Sequence, residues 1–236
     1  GITGVTRFSA LDAVGADVQF LGANSFNTVA ANANNLIDLQ GTTSITTQTG
    51  GATFTADADD SGTGSFQTAA DSSVNTATPG ALISVTAADA AINATSSLNA
   101  GNGDVLLRPV SNASTIGIGG GAGAFNLSDA ELATLVSNGT VTIGRAGTGT
   151  GEVDIDAVDL GSGNYDLAIH GGPISVEGLD LDDQDVSLTA NTGSLTDGGG
   201  TTDITAQSVT LIALGGSIGA SGAGAIDLEA TSLSTN

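Results

Sequence analysis

Short stretches in which two apolar residues flank a polar one recur along the whole chain. The first begin at Val18, Ile37 and Ile83 and read V-Q-F, I-D-L and I-S-V. Each has the period-two alternation of a half-buried β-strand. Further copies begin at Val141, Val153, Leu167, Ile174, Val186, Val209 and Ile226. Turn-forming glycine, asparagine and aspartate residues separate them, so the pattern predicts an all-β protein.

The strands recur at a loose period of about 17–25 residues, which is typical of a solenoid. The sequence V-S-L-T-A-N-T-G-S-L from Val186 is repeated in similar form as V-T-L-I-A-L-G-G-S-I from Val209. A β-sandwich also has frequent turns, but one of this size usually contains more phenylalanine, tryptophan and tyrosine. We therefore predict a parallel β-helix, or β-solenoid, that forms a single segment over residues 1–236.

One segment departs from this pattern. Ser128 and Glu131 have the spacing of a helix capping box, and Asn138-Gly139 is typical of a helix end. An apolar stripe at helical spacing lies between them, at Leu127, Leu132, Leu135 and Val136. These signals predict a helix over residues 129–137, preceded by a flexible glycine-rich run at 117–123. We expect an insertion that covers an edge of the coil stack, with a lateral docking element as the alternative.

The segment from Ile116 to Ala146 resembles a repeat of very large bacterial exoproteins of the filamentous-haemagglutinin type. It reads I-G-I-G-G-G-A-G-A-F-N-L-S-D-A-E-L-A-T-L-V-S-N-G-T-V-T-I-G-R-A. Elsewhere the resemblance is one of composition. It implies a right-handed β-helix, export by two-partner secretion, an extracellular or outer-surface location and a role in adhesion or matrix building. The secretion-domain motif of that family is absent from this sequence, as expected for an internal fragment.

Composition narrows the range of functions. The chain has 25 acidic residues against 3 arginines and no lysine, which gives a formal charge of −22. Nucleic acids and anionic membranes are bound by basic patches, so we expect neither as a partner. No apolar run approaches the length of a membrane span, so we expect no membrane insertion. Because the chain begins at Gly1 without a signal sequence, we expect a piece of a longer or processed protein.

Two acidic segments are candidate calcium sites, because calcium takes six to eight oxygen ligands from closely spaced carboxylates and carbonyls. The first matches the opening of a calcium-binding loop, although its twelfth position is Thr68 where such loops have a bidentate glutamate. The second is the densest acidic cluster of the chain. A solvated acidic turn is the alternative for both. The candidate ligands are Asp57, Asp59 and Asp60 in the first segment and Asp180, Asp182, Asp183 and Asp185 in the second.

The sequence contains no recognisable catalytic set, and we expect no enzymatic activity. His170 is the only histidine and lies at a predicted strand end, and the chain has no G-x-S-x-G motif. A polysaccharide-active β-helix enzyme stays an alternative, although its carboxylates would be paired with Arg or Lys. An ice- or surface-binding solenoid is a second alternative, suggested by the threonine-rich stretch at 42–49, but the threonines do not recur regularly.

The preferred hypothesis is therefore a structural or adhesive extracellular solenoid, a building block of a surface fibre or a giant exoprotein. Natural solenoids cover their open strand edges with caps, and we find no amphipathic cap near Gly1 or Asn236. We expect the chain either to continue into neighbouring repeats or to associate end to end with copies of itself. The host or matrix ligand of such a protein is not indicated by the sequence.

Overall fold

The structure is a computed structural model of the 236-residue chain. It describes residues 5–11, 17–161, 163–222 and 224–236, and for 5–11 it describes the backbone. The chain divides into two compact units: unit 1 comprises Gly1–Val110 and Ala133–Val141, and unit 2 comprises Ser111–Leu132 and Thr142–Asn236. The prediction of a single segment over 1–236 concerns how the two units join, and it stays a prediction.

Unit 1 is built from parallel strands. They are β1 (Val5–Leu11), β2 (Asp17–Asn32), β3 (Leu36–Thr47), β4 (Ala52–Thr55), β5 (Ser65–Thr68), β6 (Ser73–Thr76), β7 (Ile83–Ala87), β8 (Asp89–Ala91), β9 (Ser97–Gly101) and β10 (Val105–Pro109). The chain then enters unit 2 with β11 (Ile116–Ile118) and β12 (Phe125–Leu127), and returns to unit 1 with β13 (Leu135–Ser137). The next strand, β14 (Thr140–Gly144), begins in unit 1 and ends in unit 2.

The strands of unit 1 form three stacks, as in a coil with three sides. The first stack contains the start of β2, the start of β3, β5 and β8. The second contains the middle of β2, the end of β3, β6, β9 and β13. The third contains β1, the end of β2, β4, β7 and β10. All these pairings are parallel, so the predicted parallel β-solenoid is confirmed for this unit.

Coil length varies along unit 1. In the first stack Val18 lies opposite Ile37, Ile37 lies opposite Phe66, and Phe66 lies opposite Ala90. The coil from Ile37 to Phe66 is the longest of these three, and it contains the loop at 57–62. The predicted period therefore holds for most coils, and loops at the corners absorb the excess residues.

The core of unit 1 contains an aromatic cluster, although only 3% of the residues of the chain are aromatic. Phe54 is fully buried, and its ring centroid lies 6.2 Å from that of Phe20 and 5.2 Å from that of Phe66. The three rings come from different strands, β2, β4 and β5. Phenylalanines are thus concentrated along the inside of the solenoid, where they fill space that valine and alanine leave open.

Buried hydroxyl groups line one corner of unit 1, between the first and second stacks. The Thr43 Oγ1 donates to the Phe20 carbonyl at 3.0 Å, and the Ser96 Oγ donates to the Ala69 carbonyl at 2.9 Å. Between them, Ser72 donates to the Gly41 carbonyl at 2.7 Å. Each of these hydroxyls donates to a main-chain carbonyl, so the three buried hydroxyl groups are hydrogen-bonded.

Unit 2 repeats the same architecture with a core of mainly aliphatic residues. Besides β11, β12 and the end of β14, its strands are β15 (Val153–Ile155), β16 (Val158–Asp159), β17 (Asp166–Gly171), β18 (Ile174–Val176), β19 (Leu179–Asp180), β20 (Asp185–Ala190), β21 (Leu195–Asp197), β22 (Ile204–Ala213) and β23 (Leu228–Thr235).

Three stacks are also present in unit 2, and all their pairings are parallel. One runs β12, β11, β15, β18 and β21. Another contains β16, β19 and the starts of β22 and β23. The third contains β17, β20 and the ends of β22 and β23. The predicted strand at Ile226-Asp227-Leu228 is the exception among the predicted three-residue patterns, because only Leu228 lies in a strand.

The predicted helix starts at the expected residue but is shorter than expected. Helix α1 is Asp129–Leu132, a single turn, and the capping box forms: the Ser128 N–H and Oγ–H donate to Glu131 Oε2 at 2.9 and 2.8 Å. The extension to residue 137 is wrong, because β13 pairs with β9 and this pairing outweighs the helical pattern of the leucines. Asn138-Gly139 is accordingly a coil turn and does not cap the helix.

The glycine-rich run at 117–123, which we expected to be flexible, is closely packed at Gly117 and Gly121. It begins within β11 and leads to β12, and these two strands pair directly with each other. A Cβ atom on Gly117 would collide with the Gly121 carbonyl, and one on Gly121 would collide with the Asp154 carbonyl. The glycines therefore allow main-chain segments to approach more closely than any side chain would permit.

We predict that Phe54→Ala lowers the free energy of unfolding by about 3–5 kcal/mol, because it leaves a cavity beside two other buried rings. Leu21→Ala is the control: Leu21 is 61% exposed. Its loss should cost less than about 0.5 kcal/mol. Urea unfolding followed by far-ultraviolet circular dichroism measures both. Equal costs for the two substitutions would contradict the burial of Phe54 among the other rings.

Candidate functional site

An acidic column runs along the outer face of the second stack of unit 2. Asp159 lies opposite Asp180, Asp180 opposite Thr205, and Thr205 opposite Glu229. These residues alternate with the inward-facing Val158, Leu179, Ile204 and Leu228 of the same strands. The period-two geometry of a strand places their side chains outside the core. Stacking of the coils therefore gathers carboxylates that are far apart in the sequence.

The column borders two shallow grooves. One, of about 400 Å³, is lined by Asp129 at the start of α1 together with Asp159 and Asp180. The other, of about 550 Å³, is lined by Asp182, Asp183 and Glu229. Both are open to solvent, and their charge suits cationic groups better than anionic ones.

The predicted cluster at residues 180–185 is divided by a turn. Asp180 ends β19, and its Oδ1 accepts a hydrogen bond from the Asp182 N–H at 3.0 Å. Asp182 has φ 48°, a left-handed conformation that aspartate tolerates better than most residues. Asp185 begins β20, and its N–H donates to Asp166 Oδ1 at 3.1 Å. Turn geometry thus accounts for several of these aspartates without a metal.

The loop at 57–62 is organised around one buried carboxylate. Asp57 is 1% exposed, and its Oδ1 accepts hydrogen bonds from the Ser61 N–H and the Ser61 Oγ–H, both at 2.7 Å. Its Oδ2 accepts the Gly62 N–H at 2.9 Å. Asp59 and Asp60 are exposed on the same loop. The loop therefore satisfies the Asp57 carboxylate with its own hydrogen-bond donors. The carboxylate does not need a calcium ion to compensate for its burial.

Within the described residues, no three histidine, cysteine, aspartate or glutamate side chains form a group that could hold a metal ion. Calcium binding at the seven aspartates named from the sequence stays a prediction. Asp57, Asp60 and Asp182 all have positive φ, between 48° and 60°. This conformational preference provides a second reason for aspartate at those positions.

His170 lies on β17 beside Thr189 of β20. Its Nδ1 is buried and has no hydrogen-bond partner among the residues that the structure describes. Burial lowers the pKa of His170 below its ordinary value of 6.5, so the ring is neutral at pH 7. A serine-triad histidine is oriented by a carboxylate on one ring nitrogen, and Nδ1 makes no such contact here.

A second acidic group surrounds the buried carboxyl of Asp203, just before β22. Asp203 is 2% exposed, and its Oδ2 accepts the Asp227 N–H at 2.7 Å. Burial is the largest influence and raises the pKa of Asp203 above 3.8. The Asp227 N–H opposes this rise, whereas the carboxylates of Asp197 and Asp227 and a hydrogen bond with the Asp197 side chain add to it.

The last described coil of unit 2 is open on its outer side. Strand β23 pairs with β22, and in the described part of the chain no further strand pairs with it. Val209 and Leu211, one coil inward, are at most 1% exposed, whereas Leu233, stacked on Val209, is 55% exposed. The inward-facing apolar column of unit 2 therefore ends at a solvent-exposed leucine.

No protein family, curated protein or solved structure matches this chain. In the ranges that the structure describes, no helix has both the length and the apolar character needed to cross a membrane.

Sequence reasoning missed Asp129, Asp159 and Glu229, which join Asp180 only through the stacking of the coils. It also missed the burial of Asp203, which lies in a polar stretch that is typical of a loop. Knowledge of the coil lengths would have found the acidic column, because Asp159, Asp180 and Glu229 occupy equivalent positions in their coils.

We predict that the stability of the wild-type protein falls as pH rises through the raised pKa of Asp203. The protonated carboxyl is favoured in the folded state, so its contribution is fully present below 3.8, the ordinary value, and is lost above the folded-state pKa. Asp203→Asn keeps an oxygen to accept the Asp227 N–H and should remove this loss. Urea unfolding of both proteins over a pH series measures the effect. If the free energy of unfolding changes with pH in the same way in both proteins, the raised pKa of Asp203 is contradicted.

His170 should act in the opposite direction. Because burial lowers its pKa, the neutral ring contributes stability above pH 6.5 that is lost as pH falls through the folded-state pKa. His170→Gln should abolish this loss. Nuclear magnetic resonance of the single imidazole gives its pKa directly, and a value at or above 6.5 would show that the ring is not buried as described.

Proposed function

We propose that this chain is a structural or adhesive segment of a bacterial extracellular β-solenoid, a building block of a surface fibre or a giant exoprotein. We propose further that it is joined, through the open coil at β23, to another coil of the same kind. That coil belongs either to a neighbouring repeat of the same protein or to a second copy of this chain. The proposal includes no enzymatic activity.

The exposed end of the apolar column is the observation that carries this proposal. Each inner strand of unit 2 buries its side chains by stacking on the next coil, and β23 lacks that cover within the described residues. Covering a leucine such as Leu233 contributes roughly 1.5–3 kcal/mol, and a paired edge also satisfies the main-chain groups of the strand. A strand parallel to β23, with an apolar residue above Leu233, matches what this end requires.

The resemblance to exoproteins of the filamentous-haemagglutinin type supports the same proposal. The segment that carries it, 116–146, contains β11, β12, α1, β13 and β14, so it is part of the coils themselves. The high negative charge suits an extracellular polymer, because it keeps a long assembly soluble. The sequence also predicts association at the other end, at Gly1. That residue lies outside the ranges that the structure describes.

We predict that the isolated chain self-associates in a concentration-dependent manner, and that Leu233→Lys abolishes this association. The lysine would place a charge where the core of the next coil must pack. Leu214→Lys is the matched control, because Leu214 is 62% exposed and lies just after β22 rather than in the column. Sedimentation velocity and negative-stain electron microscopy measure assembly at moderate ionic strength, where repulsion between copies is screened.

A wild-type chain that stays monomeric at all concentrations would overturn association between copies. The coil on β23 would then have to come from a neighbouring repeat of the same protein. That form of the proposal requires Leu233 to be buried in a longer chain. Equal assembly of Leu233→Lys and wild type would show that β23 is not the joining surface. Loss of assembly in both leucine variants would point to an effect of charge alone.

A further inference from the structure

Two Asn-Gly pairs lie one above the other in unit 1. Asn102-Gly103 follows β9, Asn138-Gly139 follows β13, and the Asn138 Nδ2 donates to Asn102 Oδ1 at 2.8 Å. Both asparagines are exposed. In such a pair the glycine nitrogen can attack the asparagine Cγ, because no side chain on the second residue hinders the approach. The two stacked turns therefore contain two chemically labile sequences.

The stacking of the coils requires glycine at position 103 and restricts position 139. A Cβ atom on Gly103 would collide with the Ala81 carbonyl, whereas one on Gly139 would meet the Asp104 carboxylate, a side chain, and would lie 3.1 Å from the Gly103 carbonyl oxygen. The asparagines also contribute to the packing, because the Asn138 side chain donates a hydrogen bond to the Asn102 side chain in the coil below. Both labile sequences therefore have a structural role in the packing of these two turns.

Both attacking nitrogens are engaged in hydrogen bonds. The Gly139 N–H donates to the Ser137 Oγ at 2.9 Å, and the Gly103 N–H donates to the Ala100 carbonyl at 2.9 Å. Ser137 is 1% exposed, and its own hydroxyl donates to the Gly103 carbonyl at 2.7 Å. The buried serine thus holds the Gly139 N–H in place and is itself held by the coil below.

We propose that Asn102-Gly103 and Asn138-Gly139 are deamidation sites held dormant by these hydrogen bonds, and that Ser137 is the residue that protects Asn138. In the reaction the Gly139 nitrogen loses its proton and forms a bond to the Asn138 Cγ. The Cγ–Nδ2 bond breaks as Nδ2 takes up a proton from solvent in place of the one that the Gly139 nitrogen gave up, ammonia leaves and a five-membered succinimide results. Water then opens the ring to aspartate or isoaspartate.

The reaction would damage this part of unit 1 in two ways. A carboxylate at position 138 has no amide hydrogen to donate, so the present hydrogen bond from Asn138 Nδ2 to Asn102 Oδ1 is lost. Isoaspartate also adds a methylene group to the main chain, which shifts the register of the following strand relative to the coil below. Protection of Asn138 therefore preserves the stacking of the coils on both sides of this turn.

The test measures deamidation of the full chain by peptide mass spectrometry during incubation at mildly alkaline pH. In the folded wild-type protein we expect both asparagines to react much more slowly than in the same chain unfolded in urea. Ser137→Ala should raise the rate at Asn138 by about fivefold, the factor expected for loss of one hydrogen bond. The rate at Asn102 should stay unchanged, because the Gly103 N–H keeps its own acceptor.

Ser96→Ala is the matched control. Ser96 is a buried serine of the same unit whose hydroxyl bonds to the Ala69 carbonyl and to neither Asn-Gly pair. Its substitution loosens a coil without freeing Gly139, and it should leave the rate at Asn138 unchanged.

Three results would overturn the proposal: an unchanged rate at Asn138 in Ser137→Ala, an equal increase in both serine variants, or equal rates in the folded and unfolded wild-type chain. The last comparison needs no substitution, so it can overturn the proposal even where Ser137→Ala fails to fold.

Discussion

The structure depends on the stacking of parallel strands from coil to coil. A short strand of a solenoid cannot bury its inward-facing residues by itself, nor can it satisfy both of its main-chain edges. Leu188 and Leu211 are buried because each has a coil on either side, whereas Leu233, at the end of the neighbouring column, is 55% exposed. The buried hydroxyl of Ser72 adds a hydrogen bond between coils at a corner, where it donates to the Gly41 carbonyl.

Stacking also determines where small residues are needed. Coils lie so close together that Gly103 and Gly121 leave no room for a side chain. Aspartates at corners serve a related purpose, since Asp57 and Asp182 adopt positive φ. Residues of these types resemble flexible linkers or metal ligands in the sequence. In the structure these residues allow the turns to form, through their conformation and their hydrogen bonds. Metal binding by the aspartates would be a further role.

Much of the fold was predictable because alternation of apolar and polar residues has a direct geometric meaning in a strand. All the predicted three-residue patterns except the one at Ile226 lie in strands, among them Val153-Asp154-Ile155 of β15. The helix start at Asp129 was predictable too, since the capping box of Ser128 and Glu131 is local. Its end was not, because Leu135 pairs with Leu98 of β9, and no local signal reveals a partner so distant in the chain.

The sequence by itself determined the class of fold, the parallel solenoid, through its period-two strands and their repetition. Only the tertiary structure decided the register, because coils of unequal length do not fix which side chains become neighbours. The acidic column from Asp159 to Glu229, the burial of Asp203 and the pairing of Asn102 with Asn138 all follow from that register. The physical reason is that alternation specifies which face of a strand is buried, whereas packing against the adjacent coil specifies the residues that the face meets.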